Sequence, residues 1–177
     1  MASPDDAPRT TTMRPEPARL EDLPQVLALV DVAGLPLTGI PAHFSSFLVL
    51  RLDGRIVGAV GLELHGPDAV LRSLVVAPRM RRAGLGRELV KHVLLLARAH
   101  GVRTAYLLTM TAAEFFARES FEPCARESVP EAIASSTEFA AGVCPETSVC
   151  MRRSLEQASC CGGAANPRPT KLTTDGF

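Results

Sequence analysis

The chain has 177 residues, 46% of them hydrophobic, and its 19 basic and 19 acidic side chains give a formal net charge of zero. This length and composition predict one domain with a substantial core. The balanced charge argues against a non-specific nucleic-acid partner, because such binding depends mainly on neutralising phosphates. No apolar run reaches the roughly 18 residues of a membrane span, so we expect no membrane partner.

Both ends of the sequence lack the pattern of a folded segment. We predict disordered tails over residues 1–11 and 156–177, and one domain over residues 12–155. The first residues contain no apolar stretch typical of a secretory signal, which favours a cytoplasmic location. In that compartment the five cysteines are expected to be free thiols.

The first half of the domain is predicted to form a helix and several strands. Apolar residues at helical spacing favour a helix over Glu21 to Ala33, with Gly34 just past its end. Asp53-Gly54 is a strong hairpin signal between two β-like runs, which predicts an antiparallel meander. The predicted strands are Thr12–Pro15, Phe47–Leu52, Arg55–Leu64 and Ala69–Val76.

The second half begins with an amphipathic helix that runs from about Leu85 to Gly101. A short apolar strand suited to the sheet centre, Thr104 to Leu108, follows it. Further elements are predicted over Ala112–Glu119 (helix), Phe121–Arg126 (strand), Pro130–Ala140 (helix) and Ser148–Arg153 (strand). The fold class is therefore α+β, a central mixed sheet with helices on its faces.

The junction between the last meander strand and the long helix carries the main chemical signal. The first N–H groups of a helix have no partner within the helix, and the helix dipole makes that end partly positive. Gly84 and Gly86 allow a ligand to approach the backbone, and Arg81, Arg82 and Arg87 add positive charge. This arrangement predicts a diphosphate site. The alternative is a glycine-assisted turn with solvated arginines.

These residues resemble a known motif. Arg81-x-x-Gly84-x-Gly86, after Leu74-x-Val76-x-Pro78, is similar to the acetyl-CoA diphosphate motif of the GNAT superfamily of N-acetyltransferases, and the element order over residues 12–155 resembles that fold. The resemblance implies a mostly antiparallel mixed sheet flanked by helices, acetyl-CoA as co-substrate, and no required metal. The cofactor-binding residues that it implies are Leu74, Val75, Val76, Arg81, Arg82, Ala83, Gly84, Leu85, Gly86, Arg87 and Phe116.

A second resemblance points to the acceptor. The segment from Tyr106 through Thr111 to Phe121, with Pro130, Glu138-Phe139 and Cys144-Pro145…Cys150-Met151, is similar to the arsenic-resistance-associated branch of these enzymes. That branch is itself similar to the acetyltransferase domain of N-acetylglutamate synthases. The resemblance implies an amino acid or amino-acid-like amine as acceptor, including an organoarsenical one, and an arsenic-resistance function.

Three positions depart from the common family pattern. Phe116 stands where a tyrosine acid is often found, Val70 where a glutamate base is often found, and Thr109 where an asparagine is often found. Both usual proton carriers are therefore missing. Proximity of amine and thioester is then expected to supply much of the rate.

Glu63 is the candidate general base. It shares one face of a strand with His65 and with Val57, Ala59 and Gly61, small residues expected to leave room for a substrate. The alternative is a rim carboxylate beside a solvated histidine.

Four further residues complete the candidate catalytic set. Arg72, beside Ser73, is placed to bind a substrate carboxylate or to form an ion pair. Thr109 and Thr111 are placed to position the thioester or its sulfur, or else to cap the helix that begins at Ala112. By family analogy, a backbone N–H near Leu74 serves the oxyanion.

The remaining candidates are thiols and imidazoles. We expect Cys124, Cys144 and Cys150 to be small buried hydrophobes, and no zinc site, because finger-type spacing is absent. Cys160-Cys161 on the predicted tail is either a thiol pair for trivalent arsenic or an incidental pair. His43, His92 and His100 are read as surface residues.

The leading prediction is an acetyl-CoA-dependent N-acetyltransferase acting on a small amine, with a homodimer left open. Its alternatives are a catalytically weak acyl-CoA-binding or trivalent-arsenic-binding protein and, among enzymes, a glutamate N-acetyltransferase.

Overall fold

A computed structural model of the chain describes residues 13–140, 142–145 and 147–156. Within these ranges seven strands form one sheet in the order β1-β2-β3-β4-β5-β7-β6. The strands are β1 (Glu16–Pro17), β2 (Phe47–Leu52), β3 (Arg55–His65), β4 (Asp68–Val76), β5 (Thr104–Thr109), β6 (Glu122–Pro123) and β7 (Val149–Ser154). The helices are α1 (Leu23–Val32), α2 (Ile40–His43), α3 (Leu85–Ala99), α4 (Ala113–Arg118) and α5 (Glu131–Ala134).

This architecture confirms the α+β prediction. Every neighbouring pair of strands is antiparallel except β4 and β5, which are parallel. The β2–β3 hairpin turns at Asp53 and Gly54, whose φ angles of 49° and 76° suit the left-handed positions of a tight hairpin turn. None of the described helices has the length and apolar character needed to cross a bilayer.

The short elements differ from the sequence prediction. The first strand was expected at Thr12 to Pro15, but β1 lies at Glu16–Pro17 and Thr12 is outside the described residues. The strand expected over Phe121–Arg126 is reduced to β6, and the helix expected over Pro130–Ala140 to α5. Two-residue strands exist because β2 and β7 pair with them, and their own side-chain pattern does not reveal them. The predicted tails, apart from Glu156, also lie outside the described residues.

Helices cover both faces of the sheet and bury three apolar clusters, of which the two largest lie on opposite faces. On one face, Leu89, Val93 and Ala97 of α3 pack against Leu62, Leu71 and Leu107 of the central strands. On the other face, Val26 and Val30 of α1 pack with Ile40 of α2. The same cluster contains Phe44, Phe47 and Ala59. The sheet is therefore fixed from both sides.

The two parallel strands separate partway along their length. Asp68, Ala69 and Val70 of β4 pair with Thr104, Ala105 and Tyr106 of β5, and the pairing ends there. Beyond that point β4 continues to Val76 and β5 continues to Thr109. The backbone groups that the strands turn toward each other in this region therefore have no ladder partner, and a cleft opens between them.

Candidate active site

The cleft between β4 and β5 contains a cavity of 590 Å³. That volume lies within the range of small-molecule sites. Its walls are residues 71–76 of β4 and residues 107–112 at the end of β5, and it reaches Arg81 and Phe116. Three loop segments close it further: residues 33–36, Glu138 and residues 143–145 with Ser148.

A β-bulge distorts β4 where it borders the cavity. The β3–β4 register shifts between Ala59, which pairs with Val75, and Gly61, which pairs with Arg72. Ser73, inside the bulge, has a φ of 54°, which an L-residue adopts only at a cost. A bulge leaves backbone groups outside the ladder and re-aims the neighbouring residues. It thereby frees backbone donors of β4 in the cavity, as the oxyanion hypothesis near Leu74 requires.

The cleft leads to the turn that begins α3. Gly84 has a φ of 77°, and the first helical hydrogen bond runs from the Glu88 N–H to the Gly84 carbonyl. The N–H groups of Leu85, Gly86 and Arg87 precede that bond and thus have no helical acceptor. An added Cβ at Gly84 meets nothing within 4 Å, and one at Gly86 meets only the Phe115 ring, at 3.5 Å. These amides are therefore accessible from outside.

The three arginines of the turn differ in their surroundings. The Arg81 Nε–H donates to the Val76 carbonyl at 3.1 Å, which ties the turn to the end of β4. Arg87 forms an ion pair with Glu119, with 2.9 Å between Nε and Oε1. Arg82 is exposed and has a φ of 70°, a value that glycine adopts readily and arginine does not.

One end of the cavity is built on a buried arginine. The Arg72 guanidinium has no exposed surface. It donates to Glu63, to the Thr38 carbonyl at 2.5 Å and, more weakly, to Ser73 Oγ at 3.4 Å, and its Nη2 lies 3.0 Å from Glu138 Oε2. The structure thus shows the ion pair that the sequence left as the alternative to a carboxylate clamp.

Glu63 lies behind Arg72 and does not reach the cavity. Its carboxylate is fully buried, accepts hydrogen bonds from Arg72 and from the Thr137 N–H at 3.0 Å, and is neither a rim carboxylate nor open to substrate. The expected room beside it is also absent. A Cβ at Gly61 would clash with the Phe47 ring, so the small residues of β3 accommodate Phe47 instead of a ligand.

Two histidines approach the same carboxylate. The Nε2 atoms of His43 and His65 lie 3.8 and 3.7 Å from Glu63 Oε2, and both side chains are more than two-thirds buried. His65 Nε2 is buried without a hydrogen-bond partner among the described residues. The expectations of a surface His43 and a solvated His65 are therefore wrong, because α2 and the end of β3 converge on Glu63.

Glu138 is the carboxylate that lines the cavity. It is 6% exposed, and burial raises its pKa more than the nearby Arg72 charge and the Cys144 hydrogen bond lower it. The Cys144 thiol donates to its Oε1 at 3.4 Å, and burial raises the pKa of Cys144 to about 12. A buried carboxylate with a raised pKa in a cleft is a candidate proton acceptor. Sequence reasoning missed this role, although Glu138 was part of the quoted motif.

The β5 wall holds the other predicted residues. Thr109 Oγ1 accepts the Ala112 N–H at 3.0 Å, which is the capping alternative, while both Thr109 and Thr111 line the cavity. Phe116 also lines it and packs edge-on against Phe115 and Phe121. The ring closes the floor of the cleft and offers no proton.

The three described cysteines lie at two separate places in the fold. Cys144 contacts Glu138, whereas Cys150 lies against Cys124, with 3.3 Å between their sulfur atoms. Cys160 and Cys161 lie outside the described residues. Within the described ranges, no three His, Cys, Asp or Glu side chains are grouped to hold a metal ion.

Comparison with known proteins identifies the family of the chain. A sequence model of the acetyltransferase (GNAT) family matches residues 16–122. The amino-acid acetyltransferase of Pseudomonas fluorescens is 36% identical over 95 residues, which are 52% of this chain and 22% of that protein. The amino-acid acetyltransferase of Ectopseudomonas mendocina is 40% identical over 95 residues, again 52% and 22%. The match therefore spans about a fifth of the length of these relatives.

Solved structures share the fold. The N-acetylglutamate synthase of Neisseria gonorrhoeae, complexed with coenzyme A and N-acetyl-glutamate, superposes with a TM-score of 0.71 at 23% identity, covering 82% of this chain and 35% of that one. Rv2747 of Mycobacterium tuberculosis, in complex with CoA and NLQ, gives a TM-score of 0.68 at 25% identity, covering 79% and 98%.

Proposed function

Because the chain belongs to the acetyltransferase (GNAT) family, we propose that it is an N-acetyltransferase that moves the acetyl group from acetyl-CoA to the amine of a small amino-acid-like acceptor. The observation that carries the proposal is the cavity between β4 and β5, which reaches Arg81 of the turn before α3 at one side and the buried carboxylate of Glu138 at another. The acceptor class is supported by the relatives named amino-acid acetyltransferase.

The residues present fit coenzyme A. The amides of Leu85, Gly86 and Arg87 are free of helical acceptors, and Gly86 adds no side chain to this helix start. Together with the positive end of the helix dipole, they suit the diphosphate. Leu74 to Val76 have no strand partner on the side that faces β5, and backbone groups on that side suit the pantetheine amides. Acetyl-CoA supplies the activated acetyl group at the thioester.

The acceptor amine belongs at the Arg72 end of the cleft. Arg72 contacts two carboxylates, Glu63 and Glu138, so the ionised cluster carries one net negative charge. Such a cluster attracts an ammonium group and repels a carboxylate. The acceptor carboxylate is therefore directed away from Arg72, contrary to the role first considered for this residue.

Glu138 is our candidate general base. An ammonium group must lose a proton before its nitrogen can attack the thioester, and Glu138 is the cavity-lining carboxylate with a raised pKa. Arg72 holds it in place. Backbone N–H groups freed by the Ser73 bulge are placed to bind the developing oxyanion. The hydroxyls of Thr109 and Thr111, which line the cavity together with Phe116, are candidates to position the leaving sulfur.

Binding of the co-substrate is the first test. Acetyl-CoA at a hundredfold excess over its dissociation constant should stabilise the fold by about 2.7 kcal/mol, seen as a rise in melting temperature. A turnover assay should then show thiol release with amino acids as acceptors. A thermal shift without turnover on any amine would support the alternative of a catalytically weak acyl-CoA-binding protein.

The base is tested by Glu138→Gln, which keeps the shape of the side chain and removes its basicity. We expect kcat/KM to fall about a hundredfold or more, and its rise with pH through the Glu138 pKa to disappear. Glu127→Gln, an exposed residue of the same region, is the matched control and should change neither. If Glu138→Gln keeps the wild-type rate and pH profile, another group takes the proton from the acceptor ammonium.

We also propose, from the resemblance of the Tyr106–Thr111 and Glu138–Met151 segments, that the physiological acceptor is an organoarsenical amino-acid analogue and that the protein acts in arsenic resistance in the cytoplasm. A panel of glutamate, other amino acids and their phosphono and arsono analogues tests this. A higher kcat/KM for the arsono compound supports the proposal, whereas preference for glutamate assigns the enzyme to glutamate acetylation.

A further inference from the structure

Two cysteines from distant parts of the sequence meet at the edge of the sheet. The β6–β7 register pairs Glu122 with Arg152 and Pro123 with Met151. One step further along, the Cys124 N–H donates to the Cys150 carbonyl at 2.9 Å. Their sulfur atoms are 3.3 Å apart. We propose that Cys124 and Cys150 are a modification site that closes reversibly to an intramolecular disulfide.

The backbone already holds the two residues in a position that permits the bond. Residues directly opposite each other on antiparallel strands have Cβ atoms about 4.5–5.5 Å apart, and a disulfide needs about 3.5–4.5 Å. The sulfurs are in contact, and an S–S bond of about 2.05 Å requires them to approach by little more than 1 Å. Side-chain rotation with a small strand adjustment provides that movement.

The two thiols differ in access, and this difference sets the order of events. Cys124 is half-buried, whereas Cys150 is 4% exposed and lies in an apolar cluster with Val70, Ile133 and Phe139. Burial raises the pKa of Cys150 to about 12. A small oxidant therefore meets the Cys124 thiolate first.

With a hydroperoxide as the oxidant, the chemistry takes two steps. The Cys124 thiolate attacks one oxygen of hydrogen peroxide, the O–O bond breaks, and the leaving hydroxide takes a proton to become water. The Cys150 sulfur then attacks the sulfenic sulfur of Cys124, and the departing hydroxide leaves as water with the Cys150 proton. Two thiols and one peroxide give one disulfide and two waters.

The site is separate from the proposed acetyl transfer. Neither Cys124 nor Cys150 lines the cavity, so the inference holds or fails independently of the enzyme activity. The disulfide would join β7 to the chain after β6 and close a loop between residues 26 apart in sequence. Closing that loop restricts the unfolded chain, so oxidation should stabilise the fold.

The experiment uses the full chain, reduced and then treated with hydrogen peroxide. We expect a peptide that joins Cys124 to Cys150 in the mass spectrum, loss of two free thiols, and a rise of roughly 5 °C in melting temperature that dithiothreitol reverses. A variant with Cys160→Ser and Cys161→Ser should show the same result. It removes the other close pair in the sequence.

Single substitutions decide the assignment. Cys124→Ser, at the half-buried position, should abolish both the joined peptide and the thermal shift while the reduced protein keeps its circular dichroism. Cys144→Ser should retain both. A joined peptide involving any other cysteine, or oxidation of folded wild-type protein to sulfinic acids without a joined peptide, would overturn the proposal.

Discussion

The two ends of the cleft are built in different ways. At the α3 end, residues 81–87 are mostly exposed and present backbone amides on a turn shaped by positive φ angles at Arg82 and Gly84. At the other end, Arg72 and Glu63 are buried side chains whose mutual contacts hold the wall together. One end depends on local backbone geometry, and the other on charges brought together by the fold.

This difference separates stability from ligand binding. A backbone site can lose its ligand without losing its fold, because its donors are part of a helix start that forms anyway. Removing one member of a buried charge cluster is strongly destabilising, because the remaining charges stay desolvated without the partner that compensated them. Substitutions at the α3 end should therefore weaken ligand binding, whereas substitutions in the charge cluster should lower the stability of the fold.

The largest effect should come from Arg72→Ala. It leaves Glu63 and Glu138 buried without their cation, so we expect the free energy of unfolding to fall by about 3–5 kcal/mol. The loss should shrink as the pH falls and Glu138, whose pKa is raised by burial, becomes protonated and no longer needs the cation. Urea denaturation at several pH values measures both effects.

Arg87→Ala is the matched control, because it removes another arginine–glutamate pair. Arg87 is 64% exposed, so the loss of its contact with Glu119 should cost at most about 1 kcal/mol. If Arg72→Ala and Arg87→Ala lower the free energy of unfolding equally, the proposed difference between the two ends of the cleft is wrong.

The same distinction explains what the sequence could predict. The turn before α3, the Asp53-Gly54 hairpin and α3 each depend on residues close together in the chain, and the local sequence pattern predicted all three as structural elements. The charge cluster depends on Thr38, Glu63 and Glu138 meeting Arg72, and no local pattern records such contacts. Gly61 was misread for the same reason, since its small size serves the distant Phe47 ring.

The turn itself contains two glycines that should respond differently. Gly86 is inside the first turn of α3, where alanine favours the helix and an added Cβ has room. If the diphosphate binds the amides of this turn, a side chain here narrows its approach to them. We expect Gly86→Ala to fold normally and to bind CoA about tenfold more weakly, a loss of about 1.4 kcal/mol.

Gly84→Ala is the counterpart. At a φ of 77° an L-residue costs about 1–2 kcal/mol, so this variant should lose stability even in the absence of CoA. Calorimetric CoA titration and urea denaturation of both variants separate the two effects. If Gly86→Ala binds CoA as well as the wild type does, the diphosphate lies elsewhere.

The smallest effect concerns Arg82, and its sign is opposite. At a φ of 70° the left-handed conformation of Arg82 costs about 1–2 kcal/mol, and glycine removes that cost. Glycine also gives the unfolded chain more conformational freedom, which lowers the free energy of unfolding by about 0.5–1 kcal/mol. Arg82→Gly should therefore stabilise the fold by roughly 0.5–1 kcal/mol, whereas Arg79→Gly, where φ is not positive, should destabilise it.

Arg82→Gly also tests whether the turn binds CoA through its backbone amides or through its guanidinium groups. If the amides carry the diphosphate, removing this exposed charge should weaken CoA binding less than about threefold, with little change in salt dependence. A tenfold loss that grows at low ionic strength would mean that side-chain charge dominates at this end of the cleft as well, and the contrast between its two ends would then be one of burial alone.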